Sequence, residues 1–248
     1  MRRRFFVDRF DGTAATLGGE TAHHLGRVLR AEPGQLYELS DGLSVWLARI
    51  ERVRRDAIEF ALLEQLPARE TALRTMLLLA IVKFDRFEWA LEKATELGVS
   101  EFIPLAADRS EKALVRAAPK RAQRWGKILL ESAQQARRLR PPLLHPAARP
   151  SQVFADVGAR HVVPILLSEH MEAPPIRAVL SGNVGAGAQT GPVVSAALAI
   201  GPEGGWTDDE LAAARAAGFL EASLGANILR TETAVAAALA ILNFALGA

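Results

Sequence analysis

Four largely apolar runs of strand length constrain what this chain can fold into. They are Thr75–Val82 (TMLLLAIV), Val99–Leu105 (VSEFIPL), His161–Leu167 (HVVPILL) and Val193–Ile200 (VVSAALAI). Runs of this length suit strands buried on both faces, as in parallel sheets covered by helices. Between the first two, Phe87, Ala90, Leu91, Ala94 and Leu97 recur at helical spacing. Asp85 offers an N-cap with Glu88 three residues on, and Gly98 a stop. Strand, helix and strand within about thirty residues form a βαβ unit, which predicts an α/β domain with a mostly parallel sheet over residues 71–248.

The preceding segment, 1–70, alternates in the manner of half-buried strands. Arg4–Val7 is a short apolar strand, and Gln35–Ser40 and Leu43–Glu51 flank Asp41-Gly42, a strong hairpin signal. Asp56–Leu63 adds a further strand, and Thr21–Arg30 reads as a short helix with Leu25, Val28 and Leu29 on one face. These elements predict a small β-barrel. Its Arg2, Arg3, Arg4, Arg27 and Arg30 suit either a solvated rim or a phosphate-tracking surface, and the segment by itself favours the rim.

Pro119–Leu139 reads as a long helix with Trp125, Ile128, Leu129, Ser132, Ala133 and Ala136 as its inner stripe. Its outer face and end carry Lys120, Arg121, Arg124, Lys127, Arg137, Arg138 and Arg140 against the single acid Glu131. A solvated face and nucleic-acid contact both suit this pattern, and the helix dipole favours cations at a C-terminus. Net charge is only +2 but uneven: zero over 1–70, +6 over 71–140 and −4 over 141–248. A basic middle on a nearly neutral chain suggests a polyanion partner.

Beyond the third apolar run, Asn183–Gly191 reads as a glycine-rich loop, and Thr207-Asp208-Asp209-Glu210 as a capping box opening a helix over Asp208–Ala217, closed by Gly218. Ala222–Leu224 is a short strand, and Thr231 or Thr233 starts a terminal helix apolar nearly all round, suited to a core or a subunit interface. That helix is short for a membrane span, and MRRRFFVDRF lacks the apolar stretch of a secretory signal, so a soluble, cytoplasmic protein with no membrane partner is expected. There is no cysteine, and the five histidines lack metal spacing, so no metal is expected.

The chemistry concentrates in Leu198–Ala234. Gly201-Pro202-Glu203-Gly204-Gly205 follows directly on a buried strand and matches neither the dinucleotide fingerprint nor the phosphate-binding loop. Its glycines exceed what one turn needs and permit close backbone approach to a ligand. Leu224-Gly225 repeats the arrangement, and Ile228-Leu229-Arg230-Thr231-Glu232-Thr233 sets a cation, an anion and two hydroxyls at a helix start. Thr231 as a plain N-cap, with Glu232 near the positive helix end, is the bland alternative.

GPEGGWTDDEL and LGANILRTETA resemble the C-terminal motifs of the SPOUT-class RNA methyltransferases, within them the family that methylates N3 of a uridine in 16S ribosomal RNA. HHLGRVLR, KFDRFEWALEKATELGV with the following IPLAADRS, and RWGKILLESAQQARRLRPP stand in the order of that family, so the resemblance covers nearly the whole chain. It implies a PUA-like, RNA-binding β-barrel over 1–70 and a SPOUT α/β domain over 71–248. The C-terminal segment, about 198–234, would be tied as a deep trefoil knot. It implies S-adenosyl-L-methionine held by Leu198, Ile200, Gly201, Glu203, Gly204, Gly205, Leu224, Gly225, Ile228, Leu229, Arg230, Thr231 and Thr233. It also implies a homodimer acting on 16S rRNA or the small ribosomal subunit. Arg3, Arg27, Arg30, Arg124, Arg138 and Arg140 become the candidate RNA contacts.

Uracil N3 is a weak acid that must lose a proton before it attacks a methyl group. Arg230 is the first candidate for stabilising the resulting anion. Glu232 is a candidate base, or else holds Arg230 in place. Where the family has EQSGR-x-R-x-P, this chain has Gln134, Gln135, Ala136, Arg137, Arg138, Leu139 and Arg140, so the acid and the glycine are replaced by Gln134 and Arg137. Two alternatives remain: a ribose 2′-O-methyltransferase of rRNA or tRNA, which the N-terminal barrel and HHLGRVLR disfavour, and a non-catalytic RNA-binding assembly factor, which intact GPEGG and LRTET disfavour.

Overall fold

The computed structural model describes residues 3–28, 30–68, 72–160, 162–186 and 194–247, except the side chains of 183–186. Expectations for Arg2, Leu29, His161 and residues 187–193 fall outside these. The chain gathers into two units, Met1–Glu70 with Ala133–Pro141, and Thr71–Ser132 with Pro142–Ala248.

The first unit contains β1 (Arg4–Phe6), β2 (Phe10–Asp11), β3 (Ala14–Gly18), α1 (Gly19–His23) running into a π-helical turn over His24–Val28, β4 (Leu36–Ser40), β5 (Val45–Val53) and β6 (Ala57–Leu66). The strands lie in the order β1-β4-β5-β6-β3-β2, antiparallel except for the β1–β4 pair. Asp41 forms the expected hairpin turn, its carboxylate accepting from the Leu43 and Ser44 backbone N–H groups at 2.9 and 2.8 Å. Burial alone would raise its pKa, but these hydrogen bonds outweigh burial and hold it below the usual range. Register shifts at Leu47/Ala48 and Ile50/Arg52 let β5 bend against β6, and the sheet curls about Phe5, Leu17, Leu25, Leu39, Ile50, Ile58 and Phe60.

Arg4 is no rim residue. It is 7% exposed, and its Nε and Nη2 donate to Glu38 Oε2 at 3.1 and 2.9 Å while Nη1 donates to the Arg137 carbonyl at 2.6 Å. Arg137 Nη1 lies 3.4 Å from the other Glu38 oxygen, and Ser40 Oγ donates to the Leu139 carbonyl at 2.6 Å. Residues 137–139 are thereby strapped to β1 and β4. Arg137 has φ +53°, the left-handed value that favours glycine, at a position where the resemblance implied glycine.

The second unit contains β7 (Leu73–Ala80), α2 (Phe84–Glu96), β8 (Glu101–Leu105), α3 (Lys112–Gln135), β9 (Leu143–Leu144), α4 (Pro150–Gly158), β10 (Val163–Leu167), α5 (Ile176–Ala186), β11 (Val194–Ile200), α6 (Asp208–Ala216), β12 (Leu220–Ala222) and α7 (Thr231–Leu246). The sheet order is β12-β10-β11-β7-β8-β9, parallel throughout. Period-two alternation sorts β7 onto two cores. Leu77 and Leu79 join Phe87, Leu91, Trp125, Val235 and Leu239 on one face; Met76, Leu78 and Ala80 join Phe154, Trp206 and Phe219 on the other. This double burial is why Met76–Val82 is apolar at every position, and truncating Leu77 to Ala would cost about 2–5 kcal/mol.

In chain order β8 and β9 extend the sheet on one side of β7, while β11, β10 and β12 lie on the other. Open parallel sheets bind ligands outside the carboxyl ends of their strands where the strand order reverses in this way. The ends that matter are Ala80, Leu105, Leu167, Ile200 and Ala222.

Several boundaries depart from expectation. Helix α2 begins at Phe84 with Lys83 at its N-cap and no side-chain cap, so Asp85 and Glu88 form no capping box; Glu88 instead receives Arg124 at 2.8 Å and Arg121 at 3.6 Å. Helix α3 starts at Lys112, not Pro119, because packing of Leu114, Val115 and Ala118 against the core outweighs the internal proline. It ends at Gln135, so Arg137, Arg138 and Arg140 lie beyond it and not on its outer face. Asn183–Ala186 belong to α5, β12 is Leu220–Ala222 in place of Ala222–Leu224, and Thr231 is the first helical residue of α7, after Arg230 at the N-cap.

Candidate active site

The turn after β11 is built around its own neighbours. Gly205 has φ +71°, and its N–H donates to the Pro202 carbonyl at 2.9 Å. A methyl group there would come within 2.8 Å of Glu169 Oε1. One on Gly201 would sit 3.0 Å from the Trp206 indole, which is buried and donates through Nε1 to the Leu167 carbonyl at 2.9 Å. Arg109 Nη1 donates to the Gly204 carbonyl at 2.7 Å. Part of the glycine excess thus admits the chain's own Trp206, Arg109 and Glu169, which corrects the reading of these glycines as ligand-facing throughout.

The capping box of α6 is present. Glu210 N–H donates to Thr207 Oγ1 at 3.3 Å, and Thr207 N–H to Glu210 Oε2 at 2.9 Å. Glu210 Oε1 also accepts from the Asp108 N–H at 2.9 Å. With Arg109, this fastens the loop after β8 to the turn after β11. At the end of β12, burial would raise the pKa of Glu221, yet hydrogen bonds from Ser168 and Arg215 and the charges of Arg215 and His170 lower it.

The loop 223–230 and the start of α7 complete the edge. Thr231 is buried, and its Oγ1 donates to the Gly201 carbonyl at 3.4 Å, bringing the two glycine-bearing motifs together. Arg86, on the first turn of α2, pairs with Glu203 and places Nε 3.9 Å from Glu232 Oε1. The other Glu232 oxygen is buried with no hydrogen-bond partner. Arg230 is exposed and makes no side-chain hydrogen bond or ion pair among the described residues, so Glu232 does not hold Arg230; Arg86 takes that carboxylate.

Among the other predicted cofactor residues, Leu198 and Ile200 are buried in β11, Leu224 is half-buried and Thr233 is exposed. Gly225 has φ +128° with open space where a Cβ would stand, and Ile228 and Leu229 are exposed. Open backbone, unpartnered apolar side chains and an orphaned carboxylate oxygen fit a ligand that is part apolar and part cationic, as S-adenosylmethionine is. Arg86, Arg109, Glu169 and Trp206 were missed by sequence reasoning. Three of them were nonetheless signalled: Arg86, Arg109 and Glu169 lie just after the carboxyl ends of β7, β8 and β10.

The predicted RNA-contact arginines differ in standing. Arg27 and Arg30 are exposed, Arg27 within 3.5 Å of His23 Nε2. Arg3 is half-buried with its guanidinium 5.7 Å from the Phe5 ring centroid. Arg124 is engaged with Glu88; Arg140 is exposed; burial lowers the Arg138 guanidinium to about 10. A separate cleft of about 240 Å³, lined by Ile103, His145, Asp156 and Arg160 among others, lies away from the carboxyl edge. Among the described residues no group of acidic and histidine side chains forms a metal site, and no helix is long and apolar enough to cross a membrane.

A family model described as an RNA methyltransferase domain matches residues 69–243. The chain belongs to that family. It is 33% identical over 231 residues to the ribosomal RNA small subunit methyltransferase E of Synechocystis sp., covering 92% of this chain and 72% of the relative. It is 34% identical to the protein of the same name from Mycobacterium bovis, covering 95% and 88%. The crystal structure of ribosomal RNA small subunit methyltransferase E from Neisseria gonorrhoeae, bound to S-adenosyl methionine, superposes with a TM-score of 0.84 at 29% identity over 98% of each chain. A Legionella pneumophila protein solved with the cofactor SAM gives 0.84 at 30% identity over 99% and 98%.

Proposed function

We propose that this chain is an S-adenosylmethionine-dependent methyltransferase of small-subunit ribosomal RNA, acting on N3 of a uridine in 16S rRNA. The observation that carries the proposal is the meeting of the GPEGG turn and the LRTET segment at the carboxyl edge of the parallel sheet, where Thr231 donates to Gly201. The turn 201–205, Leu224, Gly225 and residues 228–233 would hold the cofactor. When bound, it supplies a methyl group activated by its sulfonium charge. The threading of 198–234 as a deep trefoil knot belongs to the same reading, as do an RNA-binding barrel over 1–70 and a catalytic domain over 71–248.

The chain's own residues then have three tasks. Backbone around Gly201 and Gly225 orients the donor for in-line transfer, the main catalytic lever where no nucleophile must be generated by a metal. Glu232, with one oxygen buried and unpartnered, accepts the N3 proton. Arg230, exposed two residues earlier in sequence, offers its guanidinium to the uracil oxygens as negative charge develops on them. N3 lies on the pairing edge, so the target uridine must be unpaired or flipped out.

The homodimer belongs to this proposal too. Phe244 on α7 and Trp89 on α2 are exposed on helices that pack together, which suits a partner copy. A ribosomal RNA substrate suits a cytoplasmic site of action.

The test is methyl transfer in vitro. The purified protein, isotopically labelled S-adenosylmethionine and unmethylated small-subunit rRNA, free and in subunits, are incubated and the RNA is digested to nucleosides. Label in N3-methyluridine is expected. Label in a 2′-O-methyl nucleoside, or none at all on either substrate, contradicts the proposal.

A further inference from the structure

Helix α3 holds six cations between residues 112 and 130 and no acid. At about 100° per residue, Lys112, Arg116, Lys120, Arg124 and Lys127 fall within an arc of about 120°. That arc lies opposite the stripe through Ala118, Trp125 and Leu129, which is buried in the core. All five are exposed. Successive members from Lys112 to Arg124 are one i,i+4 step apart, about 6 Å of rise, so the row runs about 18 Å.

A solvated face does not need this arrangement. Like charges at i,i+4 weaken a helix by about 0.2–0.5 kcal/mol per pair, and surface helices normally mix signs. Helix α2 does so, with Lys93 Nζ 2.8 Å from Glu92 and 2.9 Å from Glu96. In α3, Arg121 and Arg124 are taken up by Glu88, and Arg121 also lies 4.7 Å from the Phe84 ring centroid. Lys112, Arg116 and Lys120 have no ion pair or side-chain hydrogen bond among the described residues.

Between these cations the outer arc presents Ala113 and Gln123, small or neutral side chains with no apolar group to insert into a membrane. Nor does it present an aromatic ring for a base to stack on. A continuous, gently inclined row of cations at near-regular spacing, without apolar or stacking groups, matches a nucleic-acid backbone.

We infer that Lys112, Arg116 and Lys120 form a phosphate-tracking rail that holds the RNA by its backbone, independently of sequence, while the uridine is read elsewhere. The inference rests on RNA being the substrate, as proposed above. The rail starts two turns earlier than the sequence pattern suggested, because α3 begins at Lys112.

The experiment compares the full chain with the triple variant Lys112→Gln, Arg116→Gln, Lys120→Gln. RNA affinity is measured against salt on transcribed small-subunit rRNA and on polyuridylate, with S-adenosylhomocysteine affinity and helical circular dichroism as folding controls. Each phosphate contact on a single strand contributes a slope of about 0.7 in log K against log salt, so losing three flattens the slope by about 2. Raising salt from about 50 to 200 mM should then weaken the natural chain about twenty-fold more than the variant, equally on both RNAs. An unchanged slope with both controls intact overturns the rail, as does a loss on the ribosomal RNA alone, or binding of the natural chain to anionic vesicles in place of RNA. If the natural chain binds no RNA at all, the proposed substrate falls first and the rail with it. A variant that loses cofactor affinity or helicity is replaced by the three single substitutions, each expected to flatten the slope by about 0.7.

Discussion

Arg86 stands between two carboxylates from different motifs, paired with Glu203 of the turn after β11 and with its Nε 3.9 Å from Glu232 at the start of α7. One side chain on α2 therefore ties together the two segments assigned to the cofactor. Arg86→Leu leaves Glu203 and Glu232 facing each other without a cation. S-adenosylhomocysteine affinity by calorimetry should fall about ten-fold, about 1.4 kcal/mol, with Arg86→Lys recovering part of it. Unchanged affinity in Arg86→Leu would remove Arg86 from the site.

The glycines of the turn are not equivalent. At Gly204 an added methyl group meets the Arg109 side chain at 3.4 Å, and that side chain can give way. At Gly205 it meets Glu169 at 2.8 Å in a backbone with φ +71°, a conformation that costs an L-residue about 1–2 kcal/mol. Gly205→Ala should therefore weaken S-adenosylhomocysteine binding more than Gly204→Ala. The reverse order would mean that the ligand, not the chain, sets the demand at Gly204.

Among the described residues of the first unit, Glu38 is the only acid bonded to the buried Arg4 guanidinium, and Arg137 shares it. Glu38→Ala strands a buried cation and should cost about 3–5 kcal/mol by denaturant unfolding. A loss below about 1 kcal/mol would show that the cluster is solvated in solution.

Stability should also fall in acid through Glu221 and Asp41, whose folded pKa values both lie below their ordinary ones. A depressed carboxylate contributes stability above its unfolded pKa and loses it as pH falls through the folded value. The loss therefore belongs between about pH 5 and pH 2. Glu221→Gln should flatten that limb of a thermal-melting profile and leave the neutral plateau's shape unchanged. An acid limb as steep as the natural chain's would contradict this.

Much of the second unit was legible in the sequence because double burial writes itself as long apolar runs. Thr75–Val82 and Val193–Ile200 lie over β7 and β11, and the Thr207–Glu210 capping box is a purely local device. Long-range demands were not legible. Nothing local says that Glu88 serves Arg124 instead of a cap, that Pro119 is carried inside a helix by Leu114 and Ala118, or that Arg4 is buried against Glu38. At the site, glycine excess pointed to the right turn but to part of the wrong reason, since Trp206, Arg109 and Glu169 occupy its approaches. Arg137 is held at positive φ, a demand on the backbone that only three dimensions reveal.

The central claim is that this chain places a methyl group on N3 of a uridine in small-subunit rRNA. It is tested most directly by nucleoside mass spectrometry of that RNA from cells with the gene, without it, and with it restored. The account predicts that one N3-methyluridine disappears on deletion and returns with the natural chain, but not with Arg230→Ala. N3-methyluridine that persists at full level in the deletion would contradict it.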